Sequence, residues 1–228
     1  MTAGVDEALR LMFTEHIDIV HLQSCELPTL LAGEVVDALD RAQALGKIGL
    51  VAYSGENEAL AWSVASGRLG GFECSVNLFD QGRLGGALAL AAGHGLGVIA
   101  KRPLAYDTAG QTWNELALRF SAFQPGVSAA IVGTASVEHL RHNARLAQEG
   151  PLPGPMVDAL RALRRPGRRL AWRGVRPRGG AAFGADAQVL VLVFTGQPAQ
   201  RLRAVTLWNA TRCMGSPPRR FDFASRRV

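Results

Sequence analysis

Hydrophobic positions in the first 150 residues form short apolar runs that alternate with segments of helical period. Five runs predict β-strands: Ile17–Leu22, Ile48–Ser54, Phe72–Asn77, Val98–Lys101 and Ala129–Thr134. Successive runs start 24 to 31 residues apart, which leaves room for one crossover helix between neighbouring parallel strands. Runs such as IGLVAYS and AAIVGT are apolar throughout, as expected for strands covered by helices on both faces. The pattern predicts an α/β protein with a parallel sheet.

The segments between these runs predict helices that pack on the sheet. They are Val5–Thr14, Glu34–Leu45, Glu56–Ser66, Gly86–Ala92, Thr112–Phe123, Ser136–Gln148 and Pro155–Leu163. The second of them carries one apolar stripe and is followed by Gly46, a residue typical of a helix C-terminus. Ser136 is the expected N-cap of the helix that follows it.

Charge divides the chain into two parts. Residues 1–163 hold 11 Lys and Arg against 17 Asp and Glu, a net charge of −6, whereas residues 164–228 hold 14 Arg, no Lys and two Asp, a net charge of +12. We therefore predict a folded unit over 1–164 and a basic, largely disordered tail over 165–228. Within that tail VLVLVF, residues 189–194, is a lone strand candidate with no evident partner.

Composition narrows the class of protein further. A length of 228 residues with 48% apolar content suits a folded globular chain. No run of 18 apolar residues predicts a membrane span, and the N-terminal segment lacks the basic and apolar regions of a signal peptide, so we expect a cytoplasmic protein. The three cysteines are an odd number at wide spacing, which favours free thiols over a disulfide frame or a metal site.

Five segments in this order resemble consecutive landmarks of the aldo-keto reductases: DIVHLQSCE, ALGKIGLVAYSGEN, SVNLFDQ, GLGVIAKRPLA and GVSAAIVGTASVEHLRHN. The resemblance covers about residues 5 to 164. It implies a partial (β/α)8 TIM barrel of about five of its eight strands. It also implies NADP(H) as cofactor and a small carbonyl compound as substrate.

The resemblance assigns the nicotinamide half of a cofactor site to residues at three strand ends. Ser54 matches a serine that helps hold the carboxamide, and Glu73 stands where the family usually has a Gln for the same amide, a departure that weakens this contact. Lys101 and Arg102 follow the strand matching the seventh of the barrel, near the nicotinamide and the pyrophosphate. The alternative interpretation is that these two cations are simply solvated at the surface.

The adenosine half is assigned to the last strand and helix of the repeat. By resemblance Gly133, Thr134 and His139 hold the 2′-phosphate, and Asn143 contacts the adenine. The physical chemistry agrees, because glycine lets the backbone approach a phosphate and the helix beginning at Ser136 offers unpaired N–H groups and a positive dipole end. Since histidine is mostly neutral at pH 7, the role of His139 is the weaker expectation.

The proton donor of the family's reaction is missing from the matched segments. There a Tyr, tuned by an Asp and a Lys, protonates the carbonyl oxygen while NADPH supplies a hydride. Tyr53 and Tyr106 are the only tyrosines, and neither matches that position. Gln23 occupies the place of the family's His and cannot carry a proton, whereas His21, on the same strand face, is an alternative that packing alone would also explain. A positioned acid supplies roughly 10²–10⁴-fold in rate, so we expect a truncated form with at most trace activity and no catalytic residue.

Other functions stay open at this point. An open sheet has unpaired edges, so we expect self-association or completion by a second chain that supplies further strands. The basic tail, with Trp172 among its arginines, resembles nucleic-acid-binding segments, which makes a non-catalytic module that binds a polyanion the alternative function.

Overall fold

The computed structural model describes residues 2–82, 84, 86–104, 111–134, 136–162 and 189–194. They form one sheet whose strand order follows the chain, with helices between the strands. The strands are β1 Ile17–Gln23, β2 Ile48–Ser54, β3 Gly71–Ser75, β4 Gly97–Lys101, β5 Ala129–Thr134 and β6 Val189–Phe194. The helices are α1 Thr2–Met12, α2 Leu27–Ala32, α3 Glu34–Ala44, α4 Asn57–Ala65, α5 Ala87–Gly93, α6 Gln111–Ala122, α7 Val137–Gln148 and α8 Gly154–Ala162.

Strands β1 to β5 are parallel neighbours, as the sequence pattern predicted, and they form a curled half-barrel, as the resemblance implied. The prediction of a partial (β/α)8 barrel is therefore confirmed. The largest shift of a strand end is in β3, which stops at Ser75 where Asn77 was predicted. The Asn77 side chain accepts hydrogen bonds from the backbone N–H groups of Phe79 (3.0 Å) and Asp80 (2.9 Å), so it begins a turn instead of extending the strand.

Alternate residues of each strand serve two different faces of the sheet. The outer face carries the main core, in which residues such as Leu22, Phe72 and Val98 pack under the helices and are almost fully buried. On the inner face Ile99 and Ile131 form a small apolar cluster against which Ile19 packs. Polar side chains also occupy this inner face, and they supply the candidate site.

Helix α2 was not predicted, because six residues are too few to show a helical period. Pro28 lies in its first turn, where proline is favoured, and Leu30 is the residue that it buries. Gly33, with φ +81°, then ends α2 and precedes α3. This left-handed conformation favours glycine.

Strand β6 has a partner, so the expectation of a lone strand at 189–194 is wrong. It pairs antiparallel with β5 over its whole length, from Ala129 opposite Phe194 to Thr134 opposite Val189. The local pattern predicted the strand but could not identify a partner so distant in the chain. The other residues of the predicted tail, including Trp172, lie outside the described residues, as does Tyr106.

Within the described part of the chain, no helix has the length and apolar character needed to cross a bilayer.

Candidate functional site

Polar side chains collect at the carboxyl ends of β2, β3 and β4. Ser54 and Lys101 are the last residues of their strands, and Ser75 is the last of β3. The parallel register places Ser54 opposite Glu73 and Ser75 opposite Lys101, so all four lie near one edge of the sheet. In barrels of this type, active sites form at the carboxyl ends of the strands.

Glu56 connects the two predicted cations at this edge. Its Oε1 lies 3.6 Å from Lys101 Nζ and 3.7 Å from an Arg102 guanidinium nitrogen. The same oxygen accepts hydrogen bonds from the Ser75 backbone N–H (3.0 Å) and hydroxyl (2.8 Å). Arg102 donates to Ser75 Oγ at 2.9 Å, and Lys101 Nζ lies 3.4 Å from Ser54 Oγ. Glu56 was not among the predicted site residues; its one signal in the sequence is its place just after a strand end.

Strained backbone marks the same edge. Among the described residues, Ser24, Asn57, Arg102 and Phe13 are the non-glycine residues with positive φ, at +50°, +60°, +56° and +52°. The first three follow the ends of β1, β2 and β4 by no more than three residues. Such conformations cost on the order of 1–3 kcal/mol each and cluster at functional sites.

Glu73 is a buried acid on the inner face of β3. Its exposed fraction is 5%, and burial raises the pKa of its carboxyl, an effect that Lys101 and a hydrogen bond from Ser54 partly oppose. Its Oε2 atom is buried and has no hydrogen-bond partner among the described residues. Because buried polar atoms are normally paired, this oxygen is available to a ligand.

His21 lies on the inner face of β1 and is 1% exposed. Burial is the main cause that lowers the pKa of its imidazole to about 4; a hydrogen bond with the Tyr53 main chain opposes part of this shift, and the positive charge of Lys101 adds to it. Neither ring nitrogen makes a hydrogen bond of good geometry with a described residue. His21 is therefore neutral at pH 7. Gln23, which the resemblance placed at the position of a His, donates to Ser24 Oγ at 3.1 Å.

Tyr53 faces away from this site, on the helix-covered side of the sheet. It belongs to the main core, its hydroxyl donates to the Cys25 carbonyl at 3.0 Å, and burial raises its pKa to about 12. A Cβ on Gly55 would overlap the Tyr53 hydroxyl, so glycine is needed after Ser54. Tyr53 thus packs in the core, and its proton is held by a backbone carbonyl.

The predicted adenosine-binding residues gather around the start of α7. Ser136 is the N-cap, since its Oγ accepts a hydrogen bond from the His139 backbone N–H at 3.3 Å. Its own N–H donates to Thr134 Oγ1 at 3.1 Å. Apart from its chain neighbours, no atom of a described residue lies within 4 Å of a Cβ built on Gly133, so the described residues leave space beside this backbone. Asn143 is 7% exposed, whereas His139 is exposed.

The structure thus forms two groups of predicted residues. Ser54, Glu73, Lys101 and Arg102 lie together with Glu56 and Ser75, while Gly133, Thr134, His139 and Asn143 lie at the end of β5 and on α7. Register links the groups, because Lys101 lies opposite Ile131, two residues before Gly133. No cluster of three or more potential metal ligands occurs among the residues that the structure describes.

Comparison with known proteins identifies similar folds. No family model and no curated protein matches the sequence. An aldo-keto reductase from Bacillus halodurans in its holo form aligns at a TM-score of 0.64 with 16% identity, over 72% of this chain and 66% of that one. An aldo-keto reductase from Klebsiella pneumoniae in complex with NADP and acetate aligns at a TM-score of 0.60 with 25% identity, over 73% of this chain and 65% of that one. A second structure from the same species, in complex with NADPH, aligns at a TM-score of 0.59 with 24% identity, over 72% of this chain and 64% of that one. The chain therefore has an aldo-keto-reductase-like fold and spans roughly two thirds of the length of these neighbours.

Proposed function

We propose that this chain, with its aldo-keto-reductase-like fold, binds NADP(H) at the carboxyl ends of β2 to β5 and is an oxidoreductase of carbonyl compounds at the family level. The observation that carries the proposal is the cluster of Lys101, Arg102, Ser54 and Glu56 beside the buried Glu73. Structural neighbours that contain NADPH or NADP support the choice of cofactor.

The nicotinamide would lie at Ser54, Glu73 and Lys101. A carboxyl group accepts from an amide N–H₂ and, when protonated, also donates to an amide oxygen, so Glu73 fits a carboxamide in either state. Its buried Oε2 lacks a partner among the described residues, which fits a ligand at this place. When bound, NADPH supplies the hydride, and these residues hold and orient its ring.

The phosphates would lie between Arg102 and the start of α7. An arginine pairs well with phosphate oxygens, and the N-terminus of a helix adds free N–H groups and a positive dipole end. The space that the described residues leave beside Gly133 would let a phosphate reach the backbone. In this arrangement Thr134 and His139 flank the 2′-phosphate, and Asn143 contacts the adenine.

Proton transfer is the weak step of the proposed reaction. Gln23 cannot donate a proton to a developing alkoxide, and the Tyr53 hydroxyl is held by Cys25 on the other side of the sheet. We infer that these 228 residues by themselves reduce carbonyl compounds weakly or not at all. Turnover by homogeneous protein at the 1–10³ s⁻¹ that is roughly typical of enzymes would contradict this inference.

The cofactor proposal is tested by titrating the full chain with NADPH and following the fluorescence of the nicotinamide. Lys101→Met should weaken binding by about tenfold, the equivalent of about 1.4 kcal/mol, because it removes a largely buried positive charge. Lys47→Met is the matched control, since Lys47 is the other lysine and pairs with Asp6 far from the site. Equal affinities of the two variants, or no binding by the unaltered chain at millimolar NADPH, would contradict the proposal.

The charge of residues 164–228 favours a second function. Their net charge of +12 suits electrostatic binding of a polyanion such as nucleic acid. This function requires no catalytic group. It differs from the first in its stronger dependence on salt.

A further inference from the structure

Glu73 is the residue at which the candidate site departs most from an ordinary nicotinamide site, because it places an ionisable group where a neutral amide would serve. We infer that Glu73 makes the site select the oxidised over the reduced nicotinamide cofactor when its carboxyl group is ionised. The inference rests on the proposed function and adds the oxidation state of the ligand to it.

The geometry places the Glu73 carboxyl beside any ring that Ser54 holds. Ser54 and Glu73 lie opposite each other in the β2–β3 register, and the Ser54 hydroxyl hydrogen-bonds to the carboxyl. Lys101, at the end of the next strand β4, reaches back so that its Nζ is 3.4 Å from Ser54 Oγ. Both Ser54 (0% exposed) and Glu73 (5% exposed) are buried, so water screens the charge of an ionised Glu73 carboxylate only weakly. The unpartnered Oε2 of Glu73 is a second sign of a ligand at this place.

The selection follows from the charge of the ring. The oxidised nicotinamide ring carries one positive charge and the reduced ring carries none, so an ionised carboxylate attracts only the oxidised form. Two opposite unit charges about 6 Å apart, at an effective dielectric constant of about 20, attract each other strongly enough to change affinity by about a hundredfold. The positive charges of Lys101 and Arg102 offset part of the attraction between the carboxylate and the oxidised ring. We therefore expect a smaller preference for the oxidised cofactor, of about tenfold in affinity.

The charged and titratable groups that act on Glu73 come from two other segments. Burial is the largest effect and favours the neutral form, as does Glu56, which lies just before α4. Lys101 and Arg102, at the end of β4, and the Ser54 hydroxyl favour the ionised form. The balance raises the pKa of the carboxyl. His21, from β1, is neutral above its pKa of about 4. Selection should therefore be absent at low pH, where Glu73 is protonated, and should appear as the pH rises through the Glu73 pKa.

The experiment compares the full chain with its Glu73→Gln and Glu73→Asp variants. The dissociation constants of NADP⁺ and NADPH are measured by calorimetry between about pH 5 and about pH 9, a range that covers a raised carboxyl pKa. The ratio of the NADPH to the NADP⁺ constant should rise by about tenfold across this range in the unaltered chain and in Glu73→Asp. It should stay constant in Glu73→Gln, which keeps the size and hydrogen bonds but cannot ionise.

Two results would overturn the inference in different ways. If both cofactor forms bind and the ratio changes equally in Glu73→Gln, another group produces the selection and the inference alone fails. If neither form binds to the unaltered chain, the proposed function fails and the inference fails with it. Circular dichroism of each variant shows whether it keeps the helical content of the unaltered chain.

Discussion

At the carboxyl end of the sheet, one acidic residue compensates the two positive charges of the candidate site in place of water. Glu56 lies between Lys101 and Arg102, and the Ser75 backbone and hydroxyl donate to the same carboxylate oxygen. A charge-assisted hydrogen bond is roughly twice as strong as a neutral one, so these contacts stabilise the charged side chains although they are partly buried. Removing the carboxylate would leave two like charges next to each other.

His21 carries the clearest pH dependence of any residue in the described structure. Because its folded-state pKa of about 4 lies below the ordinary value of 6.5, the folded state binds fewer protons than the unfolded state between these values. The free energy of unfolding should therefore fall as the pH decreases through this window, by at most about 3 kcal/mol.

The prediction for His21 is tested by urea unfolding at several pH values. His21→Leu should lose part of the acid-induced fall in the free energy of unfolding, since it removes the buried imidazole. His94→Leu replaces an exposed histidine at the end of α5 and should keep the fall. Identical pH profiles for His21→Leu and the unaltered chain would show that His21 does not carry the effect.

Secondary-structure elements show where local sequence was enough and where it was not. The predicted strands β1 to β5 appear with ends shifted by no more than two residues, because continuous apolar runs are a local signal. The N-cap role of Ser136 is also confirmed, since it depends on contacts within one turn. Helix α2 and the pairing of β6 were missed, the first because it is short and the second because its partner is distant.

The pairing of β6 with β5 is tested by proline substitutions in β6. Neighbouring N–H groups of a strand point to opposite sides, so of Val191→Pro and Leu192→Pro only one removes a hydrogen bond to β5. In hydrogen–deuterium exchange, that variant should show faster exchange at amides of Ala129–Thr134 than the other, while Ile17–Gln23 at the opposite edge stays unchanged. Unchanged exchange of β5 in both variants would contradict the pairing.

At the scale of the whole molecule, an acidic part that contains the half-barrel is followed by a strongly basic segment. Residues 1–163 carry −6 and residues 164–228 carry +12. The two proposed functions therefore occupy different parts of the chain. Self-association, completion by a second chain and a cytoplasmic location stay predictions.

Salt separates the two functions in one preparation. If residues 164–228 bind a polyanion, the affinity of the full chain for a DNA duplex should fall by roughly 10³–10⁵-fold between about 50 and about 200 mM salt for 6–10 phosphate contacts. The affinity for NADPH, which offers few phosphates, should change far less over the same range. Displacement of the duplex by NADPH would contradict two separate sites, and a salt-independent duplex affinity would contradict the second function.

Sequence alone determined the repeating strands and helices, because periodicity is a property of neighbouring residues. The partial barrel and the positions of the predicted cofactor site followed from the resemblance of five sequence segments to a known family. Only the tertiary structure decided that Glu56 bridges two cations, that His21 is buried and neutral, that the Tyr53 hydroxyl is held by Cys25 and that β6 pairs with β5. Each of these depends on contacts between residues far apart in the chain. Burial and charge at a given atom are set by such contacts, which the order of residues along the chain does not reveal.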